Sequence, residues 1–246
     1  MGFIMAIWTE IARTSNIAGD EILLRRRDDI YEIRFNGLEL MSNINVQSET
    51  VLAERSLRIL NHSPRNVLIG GLGMGFTLRA ALDILPEYAK VTVCEFVPEI
   101  VEWNRHRIGH LTNYPLNDTR VEVVVGDVMQ TLTASRSKYD MILMDTDNGP
   151  DFLVRKDNDA IYARDGLSVA IEALTQGGAV SFWSATASNM FERLLDMMQL
   201  EWECHDVCLM SGRADAFHYI YFITKDGPAT RTTGRRRQKA LAEYII

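Results

Sequence analysis

The chain has 246 residues, of which 47% are hydrophobic and 24% charged, with a formal net charge of −7. That is the balance of a folded protein built as one large α/β domain or as a core domain with a small appendage. An acidic total excludes sequence-independent nucleic-acid binding, which depends on a basic face that neutralises phosphates. Three cysteines (Cys94, Cys204, Cys208) make no disulfide framework, and no apolar run approaches the length of a bilayer span. The first residues lack the cationic segment and long apolar run of a secretory signal. The expectation is a cytoplasmic protein that engages neither nucleic acid nor membrane and holds no metal: Cys204, His205 and Cys208 read as part of a strand.

Taken in order, residues 1–50 read as a small β-appendage. "EILLRRR", "IYEIRFN" and "LELMS" alternate as three antiparallel strands, and Asn36-Gly37 supplies the positive φ of a tight hairpin. "SETVLAERSLRIL" carries helical spacing. From residue 66 the pattern becomes strand, helix, strand, helix. "NVLIGGL", "KVTVCEFV", "RVEVVVGD", "YDMILMD" and "AVSFWSA" are strands, separated by the helices "FTLRAALDIL", "PEIVEWNRHRIG", a short one around "VMQTL", and "ARDGLSVAIEALT" ending at Gly177-Gly178. The helix "SNMFERLLDMMQL", with Ser188 as cap, leads to two final strands, "WECHDVCLM" and "FHYIYFITK". The fold expected is α/β: a doubly wound, mostly parallel, seven-stranded Rossmann-like sheet with an antiparallel last strand, over residues 51–225. Residues 226–246 form a basic tail that reads as a solvated terminus.

Three features fall at the ends of successive strands, where an open parallel sheet binds its ligand. Gly71, Gly73 and Gly75 form a turn in which backbone amides approach a ligand, with a helix N-terminus behind. Glu95 closes the next strand 24 positions after Gly71, and a carboxylate there suits the vicinal hydroxyls of a ribose. Gly126-Asp127 closes the third, placed to accept from an adenine amine. Each alone has a structural explanation, such as a tight turn for the glycines or a surface glutamate ending a strand. Together they imply an adenosine-containing cofactor. "GGLGMG" places Phe76 where a dinucleotide fingerprint has glycine or alanine, which favours S-adenosylmethionine over NAD.

With these residues, and with "YDMILMDTDNGP" followed by "AIYARDGLSVAIEALTQGG", the chain resembles the spermidine synthase (polyamine aminopropyltransferase) family, a branch of the class I S-adenosylmethionine-dependent methyltransferase fold. The resemblance implies that Asp145 is the catalytic aspartate, orienting an attacking amine, that Glu95 and Asp127 bind ribose and adenine, and that the protein is a homodimer. Asp147, Tyr162, Trp183 and Glu49 are candidate substrate-binding residues, the last by a loose correspondence it shares with Gln47; Tyr162 and Trp183 read equally as core aromatics.

Two departures shape the functional expectation. Met74 stands where the polyamine enzymes carry an aspartate near the aminopropyl end of the donor, and Asn148 replaces a second loop aspartate. A thioether in place of that carboxylate removes repulsion toward the carboxylate of intact S-adenosylmethionine. The expectation is therefore a methyltransferase that uses S-adenosylmethionine on a small amine. The alternatives are aminopropyl transfer from decarboxylated S-adenosylmethionine, 3-amino-3-carboxypropyl transfer, and a non-catalytic binder of the cofactor.

Overall fold

The computed structural model describes residues 7–15, 19–146, 148–151, 153, 158–209, 217–225 and 237–239. The chain divides into two compact units, Met1–Val46 and Gln47–Ile246.

The first unit is an antiparallel meander of β1 (Thr9–Ser15), β2 (Glu21–Arg27), β3 (Ile30–Phe35) and β4 (Leu38–Ser42). Ile22, Leu24, Tyr31, Ile33 and Phe35 bury one face. The β3–β4 hairpin turns through Asn36 (φ 48°) and Gly37 (φ 79°), the conformation that Asn-Gly allows without strain. Glu32 is buried and held by Arg25 and Arg34, with Arg25 Nη2 donating to Oε2 at 2.8 Å. One strand more than expected is present. β1, "TEIARTS", is largely exposed and has little apolar alternation, so nothing in its side chains announces it; backbone pairing to β2 makes it a strand.

The second unit opens with α1 (Gln47–Ile59) and proceeds through β5 (Asn66–Gly70), α2 (Phe76–Ile84), β6 (Lys90–Glu95), α3 (Pro98–His106), β7 (Val121–Val125), α4 (Val128–Thr133) and β8 (Tyr139–Met144). Then come α5 (Asp159–Tyr162), α6 (Arg164–Ala173), β9 (Leu174–Ser184), α7 (Asn189–Met197), β10 (Glu201–Cys208), β11 (Phe217–Thr224) and β12 (Arg237–Lys239). The sheet order is β12-β10-β11-β9-β8-β5-β6-β7. The seven expected strands are there, and β11 runs against both β9 and β10 while β5 to β9 are mutually parallel. The eighth, β12, is a three-residue strand parallel to β10, inside what read as the basic tail. β8 is buried along its whole length, as a central strand covered on both faces must be.

α6 stops at Ala173, earlier than the glycine pair implied. Gly177 (φ 72°) lies instead within β9, where pairing jumps from Tyr139↔Leu174 to Met141↔Ala179. The glycines accommodate an irregularity in the strand rather than a helix end. Ser188 does cap α7, its hydroxyl accepting from Phe191 N at 3.2 Å.

Strand order reverses at β5, which lies between β8 and β6. The crevice of an open α/β sheet forms beyond the carboxyl ends of the strands at such a point. At the opposite end, Asp140 ties the sheet together: Oδ2 accepts from Arg65 N (2.7 Å) and Asn66 N (3.0 Å), and Oδ1 from Thr175 Oγ1 (2.7 Å). Burial opposes its ionisation, and these donors with His62 outweigh it, holding the carboxyl below the ordinary range. Asp140→Ala leaves three donors without their acceptor. It is expected to cost about 2–4 kcal/mol, read in thermal unfolding as about 2–4 °C per kcal/mol.

Candidate active site

The carboxyl ends of β5, β6, β7 and β8 are stitched together one bond beyond the ladder. Gly71 N donates to Cys94 O (2.8 Å), Gly126 N to Glu95 O (2.9 Å) and Asp145 N to Gly70 O (2.8 Å). The glycine turn, Glu95, Asp127 and Asp145 thus fall along one edge. Gly71 has φ 89°, and a Cβ there would overlap the carbonyl oxygen of Asp145, so the crossing admits only glycine. Gly73 offers its carbonyl to Asn104 Nδ2 (2.8 Å), and Gly75 (φ 86°) is the left-handed cap of α2.

Glu95 is buried, its Oε2 accepting from Leu72 N (2.9 Å) and Oε1 from Val97 N (2.9 Å). Burial pushes its carboxyl upward against these amides and those of Gly73 and Phe96. Four backbone amides thus converge on its two oxygens, and the carboxylate fixes the turn. Asp127 is half-buried and caps α4, with Oδ1 accepting from Met129 N at 2.8 Å. Beside it Phe96 and Val125 are exposed, 43% and 52%, and no atom lies within 4 Å of where a Gly126 Cβ would stand. Two uncovered apolar side chains flanking open space next to two carboxylates suit a flat, apolar ring joined to a diol, the shape of adenosine.

On the other side of the turn, Asp145 is half-buried, and Thr77 Oγ1 donates to its Oδ2 at 2.6 Å. Its partner is Glu49, buried in the first turn of α1, which packs against β8, β9 and β11. Burial, and then the charge of Asp145, push the Glu49 carboxyl well above the carboxylate range, against a 2.7 Å bond from Ser48 Oγ. Burial likewise raises Asp145, opposed by Thr77. Two carboxyls in one poorly solvated place cannot both ionise freely, so the pair retains a proton toward neutral pH. Ser48 Oγ also lies 2.9 Å from His218 Nδ1, and the His218 ring packs edge-on against Trp183, centroids 4.5 Å apart. Burial lowers the His218 pKa to about 4.

Glu49 and Trp183 therefore belong to the Asp145 side of the crevice. Tyr162 does not line it: its ring lies in the core against Phe182 (5.9 Å) and Phe191 (5.7 Å). Asp147 lies outside the described residues. Met74 corrects the sequence reading most sharply. Its side chain is fully enclosed, 0% exposed, so it presents no thioether to a ligand. Thr77, Ser48 and His218 were missed. Thr77 is hidden in an ordinary helix start, and His218 opens a strand that reads as sheet edge; neither has a local motif. Among the described residues no group of three or more His, Cys, Asp or Glu could hold a metal ion, and no helix is long and apolar enough to cross a membrane.

The spermine/spermidine synthase domain model matches residues 50–217. Among curated proteins the chain is 30% identical over 84 residues to a polyamine aminopropyltransferase of Clostridium tetani, and 33% identical over 84 residues to one of Bacillus mycoides. Each match takes in 34% of this chain and only 30% of the relative's length. Among solved structures, a spermidine synthase in complex with the transition state analogue AdoDATO superposes with a TM-score of 0.72 at 17% identity, over 88% of this chain and 73% of that one. The spermidine synthase of Thermotoga maritima gives 0.69 at 17%, over 88% and 72%. At this identity the two structures establish the fold.

Two expectations follow from the geometry. Met74→Asp buries a carboxylate without a partner, so it is expected to lower the melting temperature steeply, a loss of several kcal/mol, while the preference between donor forms, read by calorimetry, stays put. Glu49 and Asp145 bind protons more tightly folded than unfolded. Their contribution is therefore whole below the ordinary carboxyl range and is lost as pH rises through the raised native range. Glu49→Gln is expected to flatten that decline and to melt above the unsubstituted protein at about pH 8.

Proposed function

Because this chain belongs to the spermine/spermidine synthase family, we propose that it is an aminopropyltransferase, moving the aminopropyl group of decarboxylated S-adenosylmethionine onto a small amine. The observation that carries this reading is the pair of poorly solvated carboxyls at the switch point, buried Glu49 and half-buried Asp145. Such a pair is costly unless a cation arrives to neutralise it, and an alkylammonium acceptor is that cation. Support also comes from the aminopropyltransferases that the chain resembles in sequence. The preference for intact S-adenosylmethionine and methyl transfer depended on Met74 facing the donor; with that side chain enclosed, this support is gone.

In this reading Glu95 exchanges amide donors of the turn for the ribose hydroxyls, Asp127 takes the adenine amine, and Phe96 and Val125 cover the ring faces. The donor supplies a carbon activated by an adjacent sulfonium. The protein's own contribution is to deliver a neutral amine to it. An alkylammonium stays protonated near neutral pH, so Asp145 accepts one N–H proton while Thr77 fixes the carboxylate's orientation. Trp183 walls the acceptor side. With both reactants held, positioning supplies much of the rate.

Parallel calorimetry with decarboxylated S-adenosylmethionine, S-adenosylmethionine and NAD, followed by mass analysis of products with a diamine, tests this directly. Tighter binding of the decarboxylated donor and a gain of one aminopropyl unit are expected, with Asp145→Asn reducing kcat by about 10²–10⁴-fold. Preferential binding of the intact cofactor together with a methylated amine would overturn the reading.

A further inference from the structure

The site contains a hydrogen-bonded chain that the transfer reaction does not by itself require. Ser48 Oγ bonds Glu49 Oε2 (2.7 Å) on one side and His218 Nδ1 (2.9 Å) on the other. Glu49 is carried by α1, which packs against β8, the strand that leads into Asp145, and His218 is only partly buried, at the start of β11. We propose that Glu49, Ser48 and His218 form a proton path that carries the acceptor's proton from Asp145 out of the buried site. The proposal rests on the aminopropyltransferase reading above.

The steps balance. The acceptor ammonium gives one N–H proton to Asp145 and keeps the electron pair, which forms the new C–N bond as the C–S bond breaks with its pair remaining on sulfur. The positive charge of the sulfonium ends on the new secondary ammonium. Asp145 hands its proton to Glu49, Glu49 to Ser48 Oγ as Ser48 passes its hydroxyl proton to His218 Nδ1, and His218 releases one from Nε2 to solvent. One proton enters from the ammonium and one leaves from the imidazole.

The surroundings fit a conductor rather than a store. The groups acting on Glu49 are Asp145 beyond the end of β8 and Ser48 on its own helix; His218 comes from β11 and faces Trp183 of β9. A hydroxyl both donates and accepts, so Ser48 can reverse its bonds when Glu49 changes protonation. The imidazole, held neutral by burial, transmits a proton without retaining it. Glu49 touches the acceptor in the proposed function; Ser48 and His218 act through it and are positioning residues.

Ser48→Ala and His218→Phe cut the path at different points, the second keeping a ring against Trp183. Steady-state kinetics of the full chain with decarboxylated S-adenosylmethionine and putrescine are the probe. Each variant is expected to lower kcat about tenfold with little change in KM for the diamine, to enlarge the solvent deuterium isotope effect, and to move the acid limb of the kcat–pH profile. The double variant is expected to be no slower than the slower single one, as for members of one path. Kinetics, isotope effect and pH profile that all overlay those of the unsubstituted protein would overturn the path, as would losses that multiply. If the unsubstituted protein turns over no diamine, the functional reading fails and the path is read without turnover. The infrared band of the protonated carboxyl pair is titrated in both proteins. A shifted titration in Ser48→Ala supports the path, and an identical one overturns it.

Discussion

Everything at the crevice depends on one crossing, where the backbone at Gly70-Gly71 runs against that at Asp145. Asp145 N donates to Gly70 O, Gly71 N donates to Cys94 O, and no Cβ fits between the chains. The hydrogen bonds align three strand ends, and the absence of a side chain lets them close up. Once that edge is set, Glu95 follows, because its carboxylate reaches back to Leu72 N and locks the turn it would serve. Thr77 follows as well: the turn launches α2 at an angle that brings its second residue onto Asp145. In the proposed function the structural and ligand-facing duties of this edge fall to the same residues.

The sequence showed the second unit well because its signals are local and repeated. Apolar runs of strand length alternate with amphipathic helices, and strand order then follows from the parallel crossover rule. Gly71, Glu95, Asp127 and Asp145 were readable because a strand end is a position in sequence as much as in space. The misreadings share a cause too. β1 is held by backbone pairing, which leaves no trace in side chains. Gly177 and Gly178 carry the composition of a helix end, yet here they relieve a strand in which Leu174 and Ala179 must both pair with β8. Met74 occupies the position of a charged residue in the resembled motif, but sequence position does not show whether a side chain in a turn faces the ligand or the core, and this one is enclosed. Ser48 and His218 are 170 positions apart, and no spacing rule connects them.

The Glu49–Asp145 pair illustrates a trade between stability and chemistry. Both carboxyls would be better solvated elsewhere, and neither is rescued by a cationic side chain among its described partners. Glu32 in the first unit shows the alternative, being also buried yet having Arg25 and Arg34 around it. Where the fold wants a quiet carboxylate it supplies guanidinium groups. Where it leaves two carboxylates with only hydroxyl and backbone donors among the described residues, the demand for positive charge stays unfilled.

Among the described strands of its sheet β11 alone runs against its neighbours, and this reversal has a consequence for the order of biosynthesis. Its first residues, not its last, lie beside the carboxyl ends of the parallel strands, with Tyr219 opposite Ser184. A parallel strand in the same slot would send its opening residues to the far edge, and His218 with them. During translation the glycine turn, Glu95 and Asp145 emerge well before His218, so this edge of the crevice precedes the other in synthesis. The side that holds Glu49, Trp183 and His218 is complete only when β11, from the last part of the chain, turns back along β9.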